Sequence, residues 1–228
     1  MEIAEVKENK TKRERKDINL NALAPRWPFR MVVCGASGCG KTNMVIDLIE
    51  RFLPWTALGV YARHLDNKQY TQFRERIQKY EKKKKAEVST WADTLDAVVP
   101  VDDLCPDNRT LILFDDFVMA KDQSIIEDYF TRARHKNCSV IYICQSWYNT
   151  PKVVRLNASH VAVFKGANGF DKTGIWKDVC SSMKREVFDE YYDTAIHTPY
   201  GFIFVDKNPL EPELEFRIKF DQLFLPPT

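Results

Sequence analysis

The chain has 228 residues, with 34 Lys and Arg against 32 Asp and Glu, a formal net charge of +2 at pH 7 and 44% hydrophobic residues. This length allows a sizeable core, and we expect one α/β domain with short additions rather than a fused second enzyme domain. The near balance of charge excludes a protein that binds nucleic acid over its whole surface, so any such contact must use a local patch.

The first residues of the chain are rich in mixed charge. The run at positions 7–16, Lys-Glu-Asn-Lys-Thr-Lys-Arg-Glu-Arg-Lys, offers too little apolar surface to offset the entropy of ordering. We predict a charged, mobile arm over residues 1–24, with a docking role as the alternative, and a folded domain over residues 25–228. No stretch approaches the ~20 apolar residues of a membrane span, and the six cysteines form no C-x-x-C pair. We therefore expect an intracellular, soluble protein with free thiols.

A glycine-rich loop follows the first predicted strand. Residues 29–34 are an apolar, β-branched run typical of a buried parallel strand, and residues 43–52 repeat apolar side chains at helical spacing. The eight residues that fit the pattern G-x-x-x-x-G-K-[ST] are Gly35, Ala36, Ser37, Gly38, Cys39, Gly40, Lys41 and Thr42. In such a loop the backbone N–H groups and the helix N-terminus surround nucleotide phosphates. We therefore predict a nucleoside triphosphate site formed by these eight residues.

A second strand and a polar helix come next. Residues 57–62 form a short strand after Pro54, and residues 66–85 are predicted as a helix. The helix ends in four consecutive lysines at positions 82–85. We interpret them as a solvated helix end that complements the negative end of the helix dipole, and a contact with a nucleic-acid backbone is the alternative.

Two carboxylates stand directly after the apolar run at residues 110–114. Ligands of parallel α/β sheets bind at the carboxyl ends of the strands, so we expect Asp115 and Asp116 to lie beside the glycine-rich loop. One Asp can hold the magnesium ion that bridges the phosphates, and the other can orient or deprotonate an attacking water. The alternative is an ordinary Asp pair at the end of a strand. The loop upstream favours the magnesium site.

A polar amide ends another predicted strand. Residues 122–136 are predicted as a helix, and residues 139–144 as a buried strand that ends at Gln145. An amide can hydrogen-bond both a γ-phosphate oxygen and the attacking water. Gln145 is therefore a candidate sensor of an intact triphosphate.

The remaining elements are weaker in pattern. Strands are predicted over residues 161–164 and 201–205, with helices around residues 171–179 and 183–196. Residues 214–220 alternate apolar and polar side chains. This alternation predicts an edge strand with one solvated face.

Three segments together carry a family resemblance. The segments GASGCGKT (35–42), LILFDDF (111–117) and ARHKNCSVIYICQSWYNTPKVVRLNASHVAVFK (133–165) resemble the poxvirus-type genome-packaging ATPases of the FtsK and HerA superfamily. The resemblance implies that residues 25–228 are a P-loop ATPase domain. Its fold would be α/β and RecA-like, a mainly parallel central sheet flanked by helices. The protein would bind ATP and Mg²⁺ and move double-stranded DNA as a ring, commonly a hexamer, with capsid or portal vertex proteins as partners and no membrane. It would act in the cytoplasm or viral factory of an infected cell, or with the virion.

The resemblance also implies roles for individual residues. Lys41 and Thr42 would hold phosphate and magnesium, and Asp115 would hold magnesium through water. Asp116 would be the general base, and Gln145 matches the family's sensor amide. The wider superfamily usually has Asp-Glu at the position of Asp115 and Asp116, so the base of this chain is one methylene shorter.

An arginine from a neighbouring subunit would stabilise charge on the transferred phosphoryl group and make hydrolysis depend on ring assembly. The candidates are Arg132, Arg134 and Arg155, of which we favour Arg134 and Arg155. Two other functions stay open. A nucleotide or small-molecule kinase also places a triphosphate on such a loop, and a non-hydrolysing, nucleotide-dependent DNA-binding scaffold would keep the fold without turnover.

Overall fold

The computed structural model describes residues 3–5 and 23–224. The strands in this part of the chain are β1 (Ile3–Glu5), β2 (Arg30–Cys34), β3 (Ala57–Ala62), β4 (Ser89–Ala92), β5 (Thr110–Asp115), β6 (Cys138–Cys144), β7 (His160–Phe164), β8 (Phe202–Asp206), β9 (Phe216–Ile218) and β10 (Gln222–Phe224). Its α-helices are α1 (Lys41–Arg51), α2 (Lys68–Lys84), α3 (Ser124–Arg132), α4 (Lys152–Asn157), α5 (Gly169–Val179) and α6 (Arg185–Ala195).

The strands form one sheet in the order β1-β10-β9-β8-β7-β2-β6-β5-β3-β4. The strands from β7 to β4 in this order are parallel to their neighbours, and β8, β9, β10 and β1 extend the sheet with antiparallel pairs. Parallel neighbours need crossover connections, which the helices supply. The predicted α/β fold with a mainly parallel central sheet is confirmed.

Both faces of the sheet are covered by helices. Along β2, Met31 and Val33 pack with the buried residues of α1 and α2, whereas Val32 and Cys34 pack with those of α3 to α6. This alternation follows from the two-residue period of a strand. Each fully buried Val, Ile, Leu or Phe side chain stabilises the fold by roughly 1.5–3 kcal/mol. The central strands are mainly apolar because each must fill two cores, and the buried polar residues in them include Thr110, Ser139 and His160.

The register of the central strands aligns their carboxyl ends. Cys34 is opposite Cys144 in the β2–β6 pair, and Asp115 is opposite Ile143 in the β5–β6 pair. The residues that follow β2, β5 and β6 therefore leave the sheet at the same edge. This is the edge at which parallel α/β sheets bind ligands.

Most predicted elements are present. The strands predicted over residues 57–62, 110–114, 139–144, 161–164 and 201–205 have observed ends that differ by at most one residue. The predicted helices are also found, although the helix predicted over residues 122–136 is an α-helix followed by a 3₁₀ turn at Ala133–Lys136. The sequence analysis missed the short elements β1, β4, α4 and β10.

The strand predicted over residues 214–220 is present but shorter, and its predicted edge position was wrong. β9 covers only Phe216–Ile218 and lies between β8 and β10. Arg217, predicted to face solvent, is 3% exposed. Its guanidinium lies over the Phe204 ring and donates to the backbone carbonyls of Leu23 and Phe220. These contacts partly compensate the buried charge, although the Arg217 Nε is buried without a hydrogen-bond partner. An alternating pattern therefore occurs here on a strand with neighbours on both sides.

Most of the predicted N-terminal arm, residues 6–22, lies outside the described residues, and its mobility stays a prediction. Within the arm, Ile3–Glu5 pair antiparallel with β10. In the described residues, none of the helices has the length and apolar character needed to cross a bilayer.

Candidate functional site

The glycine-rich loop connects β2 to α1, so it leaves the carboxyl end of a central strand and opens a helix. Gly40 is the residue before α1 and has a φ of 101°, a conformation that side chains disfavour. A Cβ at Gly40 would also lie 2.9 Å from Cδ1 of Tyr200. Glycine is required here for both reasons. The backbone N–H groups at the start of α1 lack helical partners and are available to an anion.

Lys41 is buried at the start of α1. Its Nζ donates hydrogen bonds to the carbonyl oxygens of Gly35 and Ala36, both at 2.7 Å. The ammonium group is therefore held over the loop by the loop's own backbone. A phosphate oxygen in the loop would offer the same group a charged acceptor.

Asp115 is the last residue of β5, and two hydroxyl groups donate to its Oδ2. They are Thr42 Oγ1 at 3.2 Å and the Tyr70 hydroxyl at 2.5 Å. Burial raises the pKa of the Asp115 carboxyl, and the two hydrogen bonds oppose this shift. Burial and the neighbouring carboxylate also raise the pKa of Tyr70 well above its ordinary value, so Tyr70 stays a donor.

The pair of Thr42 and Asp115 fits a magnesium ion. Mg²⁺ prefers oxygen ligands and is held by one or two protein groups together with water and substrate phosphates. The Thr42 hydroxyl and the Asp115 carboxylate are already within hydrogen-bond distance beside the phosphate loop. Among the described residues, no group of three or more His, Cys, Asp or Glu forms an all-protein metal site. A magnesium ion here would need phosphate oxygens to complete its ligands.

Asp116 adopts a left-handed conformation, with a φ of 63°. Its backbone N–H donates to Ile143 at 3.2 Å, and its Oδ1 accepts from Gln145 Nε2 at 3.2 Å. The turn therefore directs a short carboxylate toward the end of β6. The Asp116 side chain is 31% exposed, and His64 Nε2 lies 3.9 Å from its Oδ2. A carboxylate that is both positioned and open to solvent can accept a proton from water.

These groups share one cleft of about 510 Å³, a size typical of small-molecule sites. The residues that line it are Ser37, Gly38, Gly40, Lys41, Thr42, Asn43, Ala62, Arg63, His64, Asn67, Gln69, Tyr70, Asp115, Asp116, Gln145 and Tyr200. The structure thus brings together the five residues predicted to handle phosphate, metal and water.

The candidate arginines, all within the described residues, lie outside this cleft. Arg134 is exposed and precedes β6, at the amino ends of the parallel strands and therefore opposite the cleft. Arg155 is 16% exposed and forms an ion pair with Asp178. Arg132 is paired with Asp102 and Asp128. Of the two favoured arginines, Arg134 is exposed, whereas Arg155 is largely buried in its ion pair.

Sequence reasoning missed half of the residues that line the cleft, among them the three with ring side chains, His64, Tyr70 and Tyr200. Tyr70 lies on the buried face of α2 with Phe73 and Ile77, and this spacing is typical of ordinary core residues. His64 and Tyr200 lie in connections between elements, where no motif marks them. From the sequence, the acidic pair indicates only that some hydrogen-bond donor must contact the Asp115 carboxylate. It does not identify Tyr70 as that donor.

A strand, a phosphate-binding loop, a helix and an acidic pair at the end of a nearby parallel strand define a P-loop NTPase fold. Residues 16–172 match the family described as Poxvirus A32 protein, and the chain belongs to this family. The resemblance to the poxvirus-type proteins is thereby confirmed.

Two viral relatives share moderate sequence similarity with the chain. It is 25% identical over 146 residues to the DNA packaging protein OPG160 of variola virus and to that of vaccinia virus (strain Western Reserve). Each match covers 61% of this chain and 54% of the relative. The chain therefore spans about half the length of the curated relatives it matches.

The fold is similar to that of a solved archaeal virus protein. The genome packaging NTPase B204 from Sulfolobus turreted icosahedral virus 2, solved in complex with AMP, has a TM-score of 0.58 and 14% identity, over 87% of this chain and 98% of that chain. The DNA-packaging ATPase B204 from Sulfolobus Turreted Icosahedral Virus has a TM-score of 0.57 and 14% identity, over 84% and 97%. At this identity the likeness shows a shared fold.

Proposed function

We propose that this protein is a magnesium-dependent ATPase that drives double-stranded DNA into a viral capsid. The observation that carries the proposal is the cleft in which the Asp116 carboxylate, positioned by Gln145, faces the phosphate loop. An acidic pair beside a phosphate loop serves hydrolysis. The DNA packaging relatives and the packaging NTPases of the same fold support DNA packaging as the process that this hydrolysis drives.

Nucleotide binding uses the loop and α1. The backbone N–H groups at the start of α1 receive phosphate oxygens, and the positive end of the helix dipole favours their charge. Lys41 exchanges its two carbonyl acceptors for the outer phosphates. The relative B204 has been solved with AMP and AMPPCP, which supports an adenine nucleotide as the ligand.

Thr42, through its hydroxyl oxygen, and Asp115, through its carboxylate, would hold the magnesium ion. The ion would supply positive charge that stabilises charge developing on the phosphate oxygens. Tyr70 fixes the orientation of Asp115 from the side of α2, since its hydroxyl remains a donor to the carboxylate. Tyr70 is a positioning residue in this scheme.

Asp116 acts as the general base. It takes a proton from the attacking water, while Gln145 holds the carboxylate and hydrogen-bonds the γ-phosphate or the water. Arg134 acts in trans on the transferred phosphoryl group. It cannot reach the cleft of its own chain because it precedes β6, at the end of the sheet opposite the cleft. Hydrolysis therefore requires a ring of subunits. Double-stranded DNA and the capsid or portal vertex are the other partners.

The test measures phosphate release from ATP, with and without duplex DNA, across a size-exclusion profile. We expect activity to coincide with an oligomer and to rise with DNA. Lys41→Ala should abolish it, and Lys177→Ala, which removes an exposed lysine of α5, should leave it unchanged. Robust DNA-independent activity in a monomer would contradict the packaging motor, and phosphoryl transfer to a nucleotide would support the kinase.

A further inference from the structure

Tyr200 is an exposed aromatic residue on the rim of the cleft. It is 70% exposed, although it lies against the phosphate loop. A Cβ at Gly40 would lie 2.9 Å from Cδ1 of Tyr200 and 3.5 Å from its Cβ. The ring thus occupies the space directly beside the residue that opens α1. The roles assigned above to the cleft leave this side chain without a function.

The sheet order places Tyr200 on the far side of the loop from the acidic pair. Along the edge that forms the cleft, β5 and β6 lead to Asp116 and Gln145, and β2 leads to the loop. β7 and β8 lie beyond β2, and β8 is antiparallel to β7. The residues that enter β8 are therefore at the same edge as those that leave β5. A triphosphate with its γ end at the carboxylates directs its nucleoside end toward Tyr200.

The position of Tyr200 is fixed by a tight turn before β8. Tyr200 has a left-handed φ of 58°, which is uncommon for a bulky side chain. The turn is closed by a hydrogen bond from the Gly201 N–H to the Thr198 carbonyl at 3.0 Å. It also packs closely on the end of α6, since a Cβ at Gly201 would lie 2.1 Å from the Ala195 carbonyl oxygen. Strain of this kind persists where the surroundings hold it, often at binding sites.

We infer that Tyr200 forms the nucleobase subsite of this cleft, where its ring stacks on the base of the bound nucleoside triphosphate. The inference rests on the proposed function, because it requires a triphosphate in the loop. Stacking on an aromatic ring uses the π-face that every base has, so this subsite favours a large flat base without reading its hydrogen-bonding edge. It accordingly binds purine nucleotides more tightly than pyrimidine nucleotides and separates ATP from GTP only weakly.

The test compares binding of ATP with binding of inorganic tripolyphosphate, both with magnesium, to the full chain. Tyr200→Ala should weaken ATP binding about tenfold, as expected for the loss of one stacked ring. Its affinity for tripolyphosphate should be unchanged. Tyr200→Phe should bind ATP like the wild type, because it keeps the ring. In turnover, Tyr200→Ala should raise KM for ATP and leave kcat nearly unchanged.

Two further variants separate stacking from folding. Tyr200→Asn removes the ring but suits the left-handed conformation, so it should fold and show the same loss as Tyr200→Ala. Tyr148→Ala removes an equally exposed tyrosine that does not line the cleft, and it should bind ATP normally.

The outcomes distinguish this inference from the proposed function. If the wild type binds ATP and Tyr200→Asn binds it equally well, Tyr200 is not the base contact. If the Tyr200 variants lose tripolyphosphate and ATP to the same extent, Tyr200 acts on the loop through Gly40, and the inference is again overturned. If the wild type binds neither ligand, the proposed function fails and the inference with it.

Discussion

At the scale of single residues, the proposed hydrolysis depends most directly on Asp116. Asp116→Asn keeps the size of the side chain and removes the base, so we expect kcat to fall about 10²–10⁴-fold, the usual contribution of general base catalysis. ATP binding should be retained, because Asp116 does not hold the loop. Steady-state phosphate release and equilibrium ATP binding measure the two effects. Asp93→Asn, at an exposed position, is the matched control. An unchanged kcat would remove Asp116 from the mechanism.

The raised pKa of Asp115 predicts how the stability of the fold depends on pH. Its folded-state pKa is raised, chiefly by burial, so the ionised carboxylate destabilises the fold above its ordinary pKa of about 3.9. Stability from this group is fully present below that pH and is lost as pH rises through the folded pKa. In the absence of magnesium and nucleotide, Asp115→Asn should therefore be more stable than the wild type at pH 7.

Urea unfolding at a series of pH values checks this prediction. The advantage of Asp115→Asn should narrow as the pH falls through the folded pKa and be lost below about 3.9, where the wild-type carboxyl becomes protonated in both states. Adding magnesium and nucleotide should reverse the order, since only the wild type gains from binding. A difference that is independent of pH would show that the buried charge is not its source.

The sequence was sufficient for residues that belong to a contiguous motif or end a strand. Lys41 and Thr42 follow from the loop pattern, and Asp115, Asp116 and Gln145 follow from apolar runs whose ends the parallel register aligns. The tyrosines of the cleft could not be predicted in this way. Their approach depends on how α2 and the turn before β8 pack on the loop, which no local pattern records.

At the scale of elements, α2 links a helix cap to the proposed magnesium site. The Asn67 side chain accepts a hydrogen bond from the Tyr70 N–H at 3.0 Å, and the Tyr70 hydroxyl donates to Asp115. Asn67→Ala should lower the free energy of unfolding by about 1 kcal/mol, the usual value for such a cap. It should also weaken magnesium-dependent nucleotide binding, because the first turn that positions Tyr70 becomes less ordered.

Asn168 caps α5 in the same way and provides the control. Its side chain accepts from the Asp171 N–H at 2.8 Å, away from the residues that line the cleft. Asn168→Ala should cost a similar amount of stability and leave nucleotide binding unchanged. Chemical denaturation and ATP titration of both variants measure the two effects. Equal losses of binding would show that stability, and not the position of Tyr70, is responsible.

The elements that sequence analysis missed or misjudged are short. The helix α4 has six residues, and the strands β9 and β10 have three each. These elements are too short to show a clear helical or alternating hydrophobic pattern. Their structure is decided by tertiary contacts such as those of Arg217. The long central strands were predictable because burial on both faces demands an unbroken apolar run.

At the scale of the whole molecule, the trans role proposed for Arg134 predicts complementation between subunits. Arg134→Ala should lower ATP hydrolysis about 10³-fold, as for other arginines that act in trans. Lys41→Ala subunits are inactive but still present Arg134 to a neighbour. Rings assembled from equal amounts of the two variants should recover activity at roughly a quarter of their sites, if assembly is random and each site needs one partner.

Arg132→Ala tests whether the effect is specific to Arg134. Arg132 is held by Asp102 and Asp128, so its removal should leave hydrolysis largely intact. Mixtures that stay as inactive as their separate components, although size-exclusion shows mixed rings, would exclude Arg134 from the neighbouring site.

The resting position of Lys41 has a consequence for how binding responds to ionic strength. Two carbonyl oxygens occupy its ammonium group in the described structure, so an incoming phosphate displaces existing partners instead of meeting an unused cation. The electrostatic gain is the difference between the two sets of contacts and is smaller than the formal charges indicate. Added salt should accordingly weaken nucleotide binding less than a count of the opposing charges implies.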